Sequence, residues 1–254
     1  MAELTRRSFV ASVGALGSLG LGGGRLRGPE TQLNVKVWLT PGAARYDGLW
    51  DRVRGYLERA FEGSHDAMVL EFGGRVDTST ENAYELVVGG EWPQRLLEGT
   101  VRGSPSPSDD VNLLVTDRSM QEFPTGAGVP HVAAVGGAKA LSRLPPVEET
   151  DPVVERTTAT YALQVLLHEV GHALGLGHDH GYMAGEGDSL VVSPMVSGYP
   201  WETEQVKAQE FDHEESVCGC RYVEPEGRSP RLMLVFSECE ADRIANYRGG
   251  VTPW

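Results

Sequence analysis

The stretch HEVGHALGLGHD, which begins at His168, constrains the fold of this chain more than any other feature of its sequence. On a helix, His168 and His172 lie one turn apart on the same face, and Glu169 lies beside them. Gly175 has no Cβ atom, so it can take a left-handed conformation, end the helix and turn the chain sharply. His178 can then return towards the first two histidines. The spacing therefore predicts three imidazole rings that converge on one point.

Three histidines are a ligand set for a catalytic zinc ion, because they leave one tetrahedral position open to water. Zinc lowers the pKa of its water to about 7, and Glu169 is placed to take the proton. The alternative, a solvated helix turn with two histidines, explains the HExxH pentapeptide but not the later glycine and histidine. We therefore predict Zn²⁺ as cofactor, Glu169 as the catalytic base, and three metal ligands, His168, His172 and His178. His180 is not expected to join them, because a closed four-histidine site would leave Glu169 without a role.

The pattern HExxHxxGxxH resembles that of the metzincin metalloproteases, in which a turn containing a methionine follows the third histidine. The downstream sequence offers three candidates, Met183, Met195 and Met233. Met195 is favoured, because the surrounding sequence SPMVSGY contains residues typical of a tight turn. The resemblance implies that this methionine packs beneath the ligand histidines and is not itself a ligand.

Two features are similar to the adamalysin (reprolysin) branch of the metzincins, with the matrixins as the alternative branch. One is Asp179, directly after the third histidine, and the other is the sequence FSEC, which begins at Phe236. Asp179 is expected to be structural rather than a ligand, because His178 already completes the ligand set. Gly175 and Met195 are the other residues expected to support the site structurally.

The resemblance also implies an architecture. We expect an α+β fold in a single catalytic domain, residues 25–254, with an upper lobe over about residues 31–177. That lobe would hold a mixed twisted sheet with two helices, and a small irregular lower lobe, about residues 178–254, would carry a C-terminal helix. Peptide substrate would lie extended along an edge strand within Gly128–Val135, where His131 would line the cleft.

Hydrophobic periodicity places the individual elements. The segment Leu33–Leu39 alternates apolar and polar residues, which is typical of a strand with one buried face. Ser237 and Glu240 form a capping box that begins a C-terminal helix. Further strands are predicted at Met68–Phe72, Val111–Val115 and Val129–Val135, and helices at Gly48–Phe61 and from Thr157 or Thr158 to about Leu174.

The chain carries a formal net charge of −14, from 36 acidic and 22 basic residues, and only three of the basic residues are lysines. Such a surface repels nucleic acid and anionic lipid, so neither is an expected partner. An acidic, lysine-poor composition resembles that of proteins from salt-loving archaea, where high salt screens the self-repulsion. An ordinary acidic protein is the alternative. The mature form is expected to contain no membrane span, because no segment is sufficiently long and apolar.

Arg6 and Arg7 precede a short, Gly-rich apolar run, and together they look like a twin-arginine export signal. A chance arginine pair at the start of a soluble domain is the alternative. We exclude residues 1–24 from the folded domain on this basis and expect the protein to be secreted, with the position of signal cleavage left open.

Three cysteines, Cys218, Cys220 and Cys239, lie in the last fifth of the chain. Export would permit a disulfide, but the odd count leaves one thiol over. Cys218 and Cys220 are too close in sequence for an unstrained bridge, so we expect Cys239 to pair with one of them. Zinc binding by these thiolates is the weaker option, because a fourth ligand is missing.

These observations predict a secreted zinc endopeptidase that hydrolyses peptide bonds with a zinc-bound water activated by Glu169. The first alternative is a zinc-stabilised binding domain of the cell envelope that cleaves nothing, and the intact Glu169 argues against it. The second is a non-proteolytic zinc hydrolase of another fold, which the glycine and the third histidine disfavour. The cleavage specificity, the physiological substrate, calcium binding and the oligomeric state are not predicted.

Overall fold

The computed structural model of the protein describes residues 32–62, 64, 68–202 and 216–247. Six α-helices and two β-sheets account for most of this part of the chain. The signal segment predicted at residues 1–24 lies outside the described residues. Among the residues that are described, no helix has the length and apolar character needed to cross a membrane.

The first sheet is mixed and contains five strands, β1 (Leu33–Leu39), β2 (Met68–Arg75), β3 (Val111–Val115), β4 (Gly126–Val129) and β5 (Val132–Val135). Their order across the sheet is β2-β1-β3-β5-β4. Four of the strands run parallel, whereas β4 runs antiparallel to β5. The strand β4 therefore forms one edge of the sheet.

The single strand predicted over Val129–Val135 is wrong, because the chain turns there and forms the hairpin from β4 to β5. Pro130 has no N–H to contribute to a ladder, and His131 takes a positive φ of 70°. The N–H of His131 donates to the carbonyl of Ala173 at 3.0 Å, which fixes the turn against the motif helix.

Helices pack on both faces of this sheet. The six helices of the described residues are α1 (Leu49–Ala60), α2 (Ala83–Val88), α3 (Glu91–Arg102), α4 (Ala138–Leu141), α5 (Thr158–Ala173) and α6 (Glu238–Ala245). Leu33, Val35 and Val37 of β1 point into the larger core cluster, which includes residues of α1 and α5. Trp38 and Leu114 point to the opposite face, where they pack with residues of α2 and α3. Burial on both faces is the usual environment of parallel strands.

The motif helix α5 begins where the sequence predicted. The Thr157 hydroxyl accepts from the N–H of Thr160 at 3.2 Å, and the Thr160 hydroxyl accepts from the N–H of Thr157 at 2.8 Å. This reciprocal cap satisfies backbone donors that the first helical turn leaves without intrahelical partners. The helix lies in the interior of the protein, so its position is fixed on nearly every side.

The second sheet has four short strands, β6 (Val153–Glu155), β7 (Met183–Glu186), β8 (Ser189–Val192) and β9 (Ser229–Met233), in the order β6-β9-β8-β7. Three of these strands follow His178, where the sequence predicted irregular chain. The sequence does contain one signal for them, because Gly187 and Asp188 make a two-residue hairpin loop between β7 and β8. Gly187 has the positive φ, 57°, that such a loop requires.

The predicted fold class, a mixed α+β architecture with a C-terminal helix, is confirmed. The strands predicted at Leu33–Leu39 and Val111–Val115 have the bounds seen in the structure. The helices α2, α3 and α4 are additions to the two expected beside the first sheet. The division into an upper and a lower lobe at about residue 178 stays a prediction.

A disulfide joins Cys218 to Cys239, which is one of the two pairings that the sequence left open. The third cysteine, Cys220, is a free thiol of intermediate burial. Because Cys239 lies in the first turn of α6, the bridge ties this helix to the segment that precedes β9.

Candidate metal centre

Two of the predicted ligands lie on α5, and a glycine turn returns the third. Gly175 has a φ of 83°, and the N–H of Leu176 donates back to the carbonyl of Gly171 at 2.9 Å. These features close the end of the helix, as a left-handed residue after a helix commonly does. A short 3-10 turn, His178–His180, follows and places His178 opposite α5.

The three ring nitrogens converge as predicted. The Nε2 atom of His172 lies 3.0 Å from that of His168 and 3.1 Å from that of His178, and the third distance is 3.3 Å. Among the described residues, these histidines form a group whose ligand atoms could hold a metal ion.

Backbone carbonyls set the protonation of two of the rings. The Nδ1 atom of His168 lies 2.8 Å from the carbonyl oxygen of Pro194, and that of His172 lies 2.8 Å from the carbonyl oxygen of Leu176. A carbonyl oxygen only accepts, so each Nδ1 carries the hydrogen of the neutral ring. The Nε2 atoms of His168 and His172 then present lone pairs to the point of convergence, which is the arrangement of metal-binding histidines.

A tetrahedral zinc ion fits these residues. Three nitrogens at about 2.0–2.1 Å from such an ion lie about 3.3–3.4 Å apart, and the nitrogens here are separated by 3.0–3.3 Å. Facing lone pairs at these distances repel each other, and a cation between them removes the repulsion. Three imidazole donors are also a known set for catalytic zinc.

Met195 lies beneath the ligand-bearing turn of α5. Its side chain is fully buried, and a Cβ atom on Gly171 would lie 2.4 Å from its sulfur. Because Gly171 directly precedes His172, the methionine packs against the helix between the two ligand positions. Met183, another of the candidates, instead lies in β7, where its sulfur is 3.1 Å from the N–H of Val223.

Glu169 is largely buried beneath the edge strand β4. A Cβ atom on Gly126 would lie 2.7 Å from its Oε1 atom, and one on Gly128 would lie 3.1 Å from its Oε2 atom. Any larger residue at these two positions would displace the carboxylate or the strand. Sequence reasoning missed both glycines, although the alternation Gly-Ala-Gly is a signal for a strand that another chain segment approaches closely.

Within the part of the chain that the structure describes, β4 has a partner strand on one side only. Gly136 donates to the carbonyl of Thr125 at 2.8 Å, and antiparallel pairs alternate between bonded and non-bonded. Ala127 therefore pairs with β5, whereas Gly126 and Gly128 direct their N–H and C=O groups to the edge. Of the range Gly128–Val135, in which the edge strand was predicted, only Gly128 and Val129 belong to the edge strand β4, whereas β5 lies inside the sheet.

His131 lies in the turn next to this edge strand. Its Nδ1 atom lies 3.1 Å from the carbonyl oxygen of Asp110 and 3.3 Å from the hydroxyl of Tyr247. These contacts connect the β4–β5 turn to the residue that precedes β3 and to Tyr247, two residues after the end of α6. The histidine therefore fixes the turn, whatever part it has in substrate binding.

Tyr199 adds a hydroxyl group that the sequence analysis did not single out. Its oxygen lies 3.5 Å from the Nε2 atom of His168, and its ring centroid is 4.9 Å from that of His178. The short helix Tyr199–Trp201 that carries it begins four residues after Met195. No local pattern in the sequence distinguishes this tyrosine from the others in the chain, because its role depends on tertiary contacts.

Asp179 and His180 hold in place the chain segment that carries His178, the third predicted ligand. The Nδ1 atom of His180 lies 3.1 Å from a carboxylate oxygen of Asp179, and Nε2 of His180 accepts from Nε of Arg243 at 3.2 Å. Both ring nitrogens of His180 are thus engaged away from the other three histidines. The carbonyl of Asp179 also accepts from the N–H of Val217 at 2.8 Å.

No protein-family model matches the chain, and no curated protein matches it. Among solved structures, the crystal structure of archaemetzincin from Methanopyrus kandleri is similar at 19% sequence identity. The alignment covers 87% of this chain and 97% of that chain, with a TM-score of 0.41. A likeness of this degree shows neither the family nor the activity of the present chain.

The close approach of β4 to α5 predicts that Gly128→Ala lowers the free energy of unfolding by about 1–3 kcal/mol. The new Cβ atom would lie 2.5 Å from the backbone oxygen of Glu169 and 2.8 Å from Cβ of His172. Urea titration gives the measurement. Gly55→Ala in α1 is the matched control, because the new Cβ atom would lie 3.4 Å from its nearest neighbour, a side-chain atom of Val147, and this variant should be neutral or stabilising. Equal stability of the two variants would contradict the packing described.

Proposed function

We propose that this protein is a secreted zinc endopeptidase of the metzincin type. The observation that carries the proposal is the convergence of His168, His172 and His178 within 3.3 Å of one another. Glu169 on the same helix and the open backbone edge of β4 beside it supply the other two requirements, a base and a surface for an extended peptide.

A zinc ion held by the three histidines would supply Lewis acidity that activates water and polarises a peptide carbonyl. Glu169 would accept the proton released from the attacking water and pass it to the amine as the peptide bond breaks. Its position beneath Gly126 and Gly128 shields the carboxylate from bulk water and keeps it next to the bound peptide. No side chain of the protein needs to form a covalent intermediate.

The peptide would bind by strand addition to β4. The N–H and C=O groups of Gly126 and Gly128 would pair with the main chain of an extended substrate. Main-chain pairing of this kind accepts many sequences, so the substrate class is an unfolded or extended polypeptide. Glycines also let the substrate strand come close to Glu169, because no side chain on β4 separates them.

Tyr199 would donate a hydrogen bond to the carbonyl oxygen of the peptide bond that is cleaved. Its hydroxyl is a donor 3.5 Å from the Nε2 atom of His168, so it lies within reach of a group bound at the metal position. A preorganised donor stabilises negative charge that develops on that oxygen in the transition state.

A non-catalytic zinc-stabilised binding domain of the cell envelope is the alternative function. It would need the three histidines, but it would have no use for Glu169 next to an open strand edge. Within the metzincins, an adamalysin-like branch is proposed on Asp179 and on the FSEC sequence that begins at Phe236, with a matrixin-like branch as the alternative.

Replacing Glu169 with Gln tests the proposed chemistry. The variant should bind zinc at the wild-type stoichiometry, because the amide does not disturb the three histidines, and it should lose at least about 100-fold in peptide hydrolysis, because it cannot accept the proton. The assay is cleavage of denatured casein by the full chain, with zinc measured by metal analysis.

Glu148→Gln is the matched control, since Glu148 is an exposed carboxylate in a surface turn. This variant should cleave casein at the wild-type rate. Wild-type turnover by Glu169→Gln would show that another base operates. A wild-type protein that binds zinc and cleaves no polypeptide would support the binding-domain alternative.

We also propose that the chain leaves the cell by the twin-arginine route, on the strength of Arg6 and Arg7. Changing both to Lys keeps the charge but removes the paired guanidinium groups, which ammonium groups do not replace. In a host with this export route, the variant should accumulate in the cytoplasm with residues 1–24 attached. Immunoblots of cytoplasm and medium give the answer, and normal secretion of the variant would refute the route.

The net charge of −14 supports a further proposal, that the protein is adapted to high salt. Repulsion between carboxylates should weaken the fold as the Debye length grows from about 3 Å at 1 M salt to about 30 Å at 0.01 M. The melting temperature should therefore rise steadily as the salt concentration is increased from about 0.01 M to about 1 M. A flat profile would contradict adaptation to salt.

A further inference from the structure

Glu240 is a buried carboxylate that the proposed chemistry does not use. It lies in the first turn of α6 and has no exposed surface. Its Oε2 atom accepts from the N–H of Ser237 at 2.7 Å, which is the ordinary bond of a capping box. Burial raises the pKa of the Glu240 carboxyl, and its hydrogen bonds act in the opposite direction. A buried carboxylate is costly unless its oxygens are paired, so the partners of the second oxygen matter.

The Oε1 atom of Glu240 binds the turn that contains Met195 (the methionine turn), which is more than forty residues away in the sequence. It accepts from the hydroxyl of Ser193 at 2.6 Å and from the N–H of Met195 at 3.1 Å. Helix capping explains neither bond. The carboxylate therefore holds the two residues on either side of Pro194.

Pro194 connects this turn to the metal site. Its carbonyl oxygen lies 2.8 Å from Nδ1 of His168 and so orients the ring of the first ligand. Gln164 on α5 holds the chain next to this turn, because its Nε2 atom donates to the carbonyl of Val192, the last residue of β8, at 3.0 Å. The geometry of the carbonyl that orients His168 thus depends on Glu240.

The same helix also supports the segment of the third ligand. Arg243, one turn after Glu240, donates from Nε to the Nε2 atom of His180 at 3.2 Å. Cys239 forms the disulfide with Cys218, whose sulfur lies 3.5 Å from the carbonyl oxygen of His180. Three residues of α6, Cys239, Glu240 and Arg243, therefore reach the chain segments that carry or orient two of the three ligands.

We propose that Glu240 is a positioning residue of the metal centre, whose carboxylate holds the Pro194 carbonyl in place and thereby strengthens metal binding by His168. The inference rests on the metal site of the proposed function. Partners that orient metal ligands typically contribute about 10–100-fold in metal affinity. Because Glu240 acts through Pro194, we expect an effect at the lower end of this range.

The test compares Glu240→Gln with Ser237→Ala in the full chain. Glu240→Gln keeps the shape of the side chain, but an amide cannot satisfy Ser193, Met195 and the N–H of Ser237 together. Ser237→Ala removes the hydroxyl that accepts from the N–H of Glu240 at 3.4 Å and leaves both carboxylate oxygens with their backbone partners. Both variants should lower the melting temperature of the metal-free protein.

Zinc affinity, measured by competition with a chromophoric chelator, should separate the two variants. We expect Glu240→Gln to weaken zinc binding by about tenfold, and Ser237→Ala to leave it within about twofold of wild type. Equal losses in the two variants would reduce Glu240 to a structural role and overturn the proposal. Wild-type affinity in Glu240→Gln would overturn it as well.

A second variant keeps the proposal testable if Glu240→Gln does not fold. Ser193→Ala removes one donor to Oε1, together with the acceptor of the Tyr182 N–H, and leaves α6 and its cap intact. Weaker zinc binding in this variant would support the positioning role, and unchanged binding would contradict it. Failure of the proposed function gives a different result, because the wild-type protein itself would then bind no zinc.

Discussion

Three imidazole nitrogens within 3.3 Å of one another are an arrangement that a protein can hold only by fixing each ring from outside the cluster. Lone pairs facing at such distances repel, and a cation at their centre would remove the repulsion. The carbonyls of Pro194 and Leu176 hold two of the rings through Nδ1. The helix, the glycine turn and the methionine turn all contribute to this arrangement.

The metal centre and the first sheet meet at β4. Gly126 and Gly128 let this strand lie directly against Glu169, and the same residues direct their backbone N–H and C=O groups away from β5. Glu169, the proposed base, and β4, the strand proposed to bind a polypeptide, are therefore in direct contact. Enlarging either glycine would disturb both, which explains why side chains are absent at these positions.

Local patterns in the sequence predicted which residues the structure brings together at the candidate metal centre. The helical spacing of His168 and His172, the break at Gly175 and the turn residues around Met195 are all features of short segments. The structure places the third histidine with the first two, and Met195 beneath them. The start of α5 was predictable for the same reason, because a helix cap is a local signal.

What the sequence did not predict depends on contacts between distant segments. Glu240 was recognisable as a capping residue, but its bonds to Ser193 and Met195 span 47 and 45 residues. Tyr199 reaches His168 across 31 residues. The second sheet was missed because its strands are three to five residues long, too short for a clear periodicity. In each case tertiary packing, and not a local preference, decides the structure.

X-ray absorption at the zinc edge of the purified full chain tests whether the three histidines bind one zinc ion. We expect about one zinc per chain, nitrogen and oxygen neighbours at about 2.0–2.1 Å, and outer-shell scattering from three imidazole rings. Sulfur at about 2.3 Å would instead assign the metal to the cysteine region around Cys220. That result, or a protein that retains no zinc, would contradict zinc binding by the three histidines.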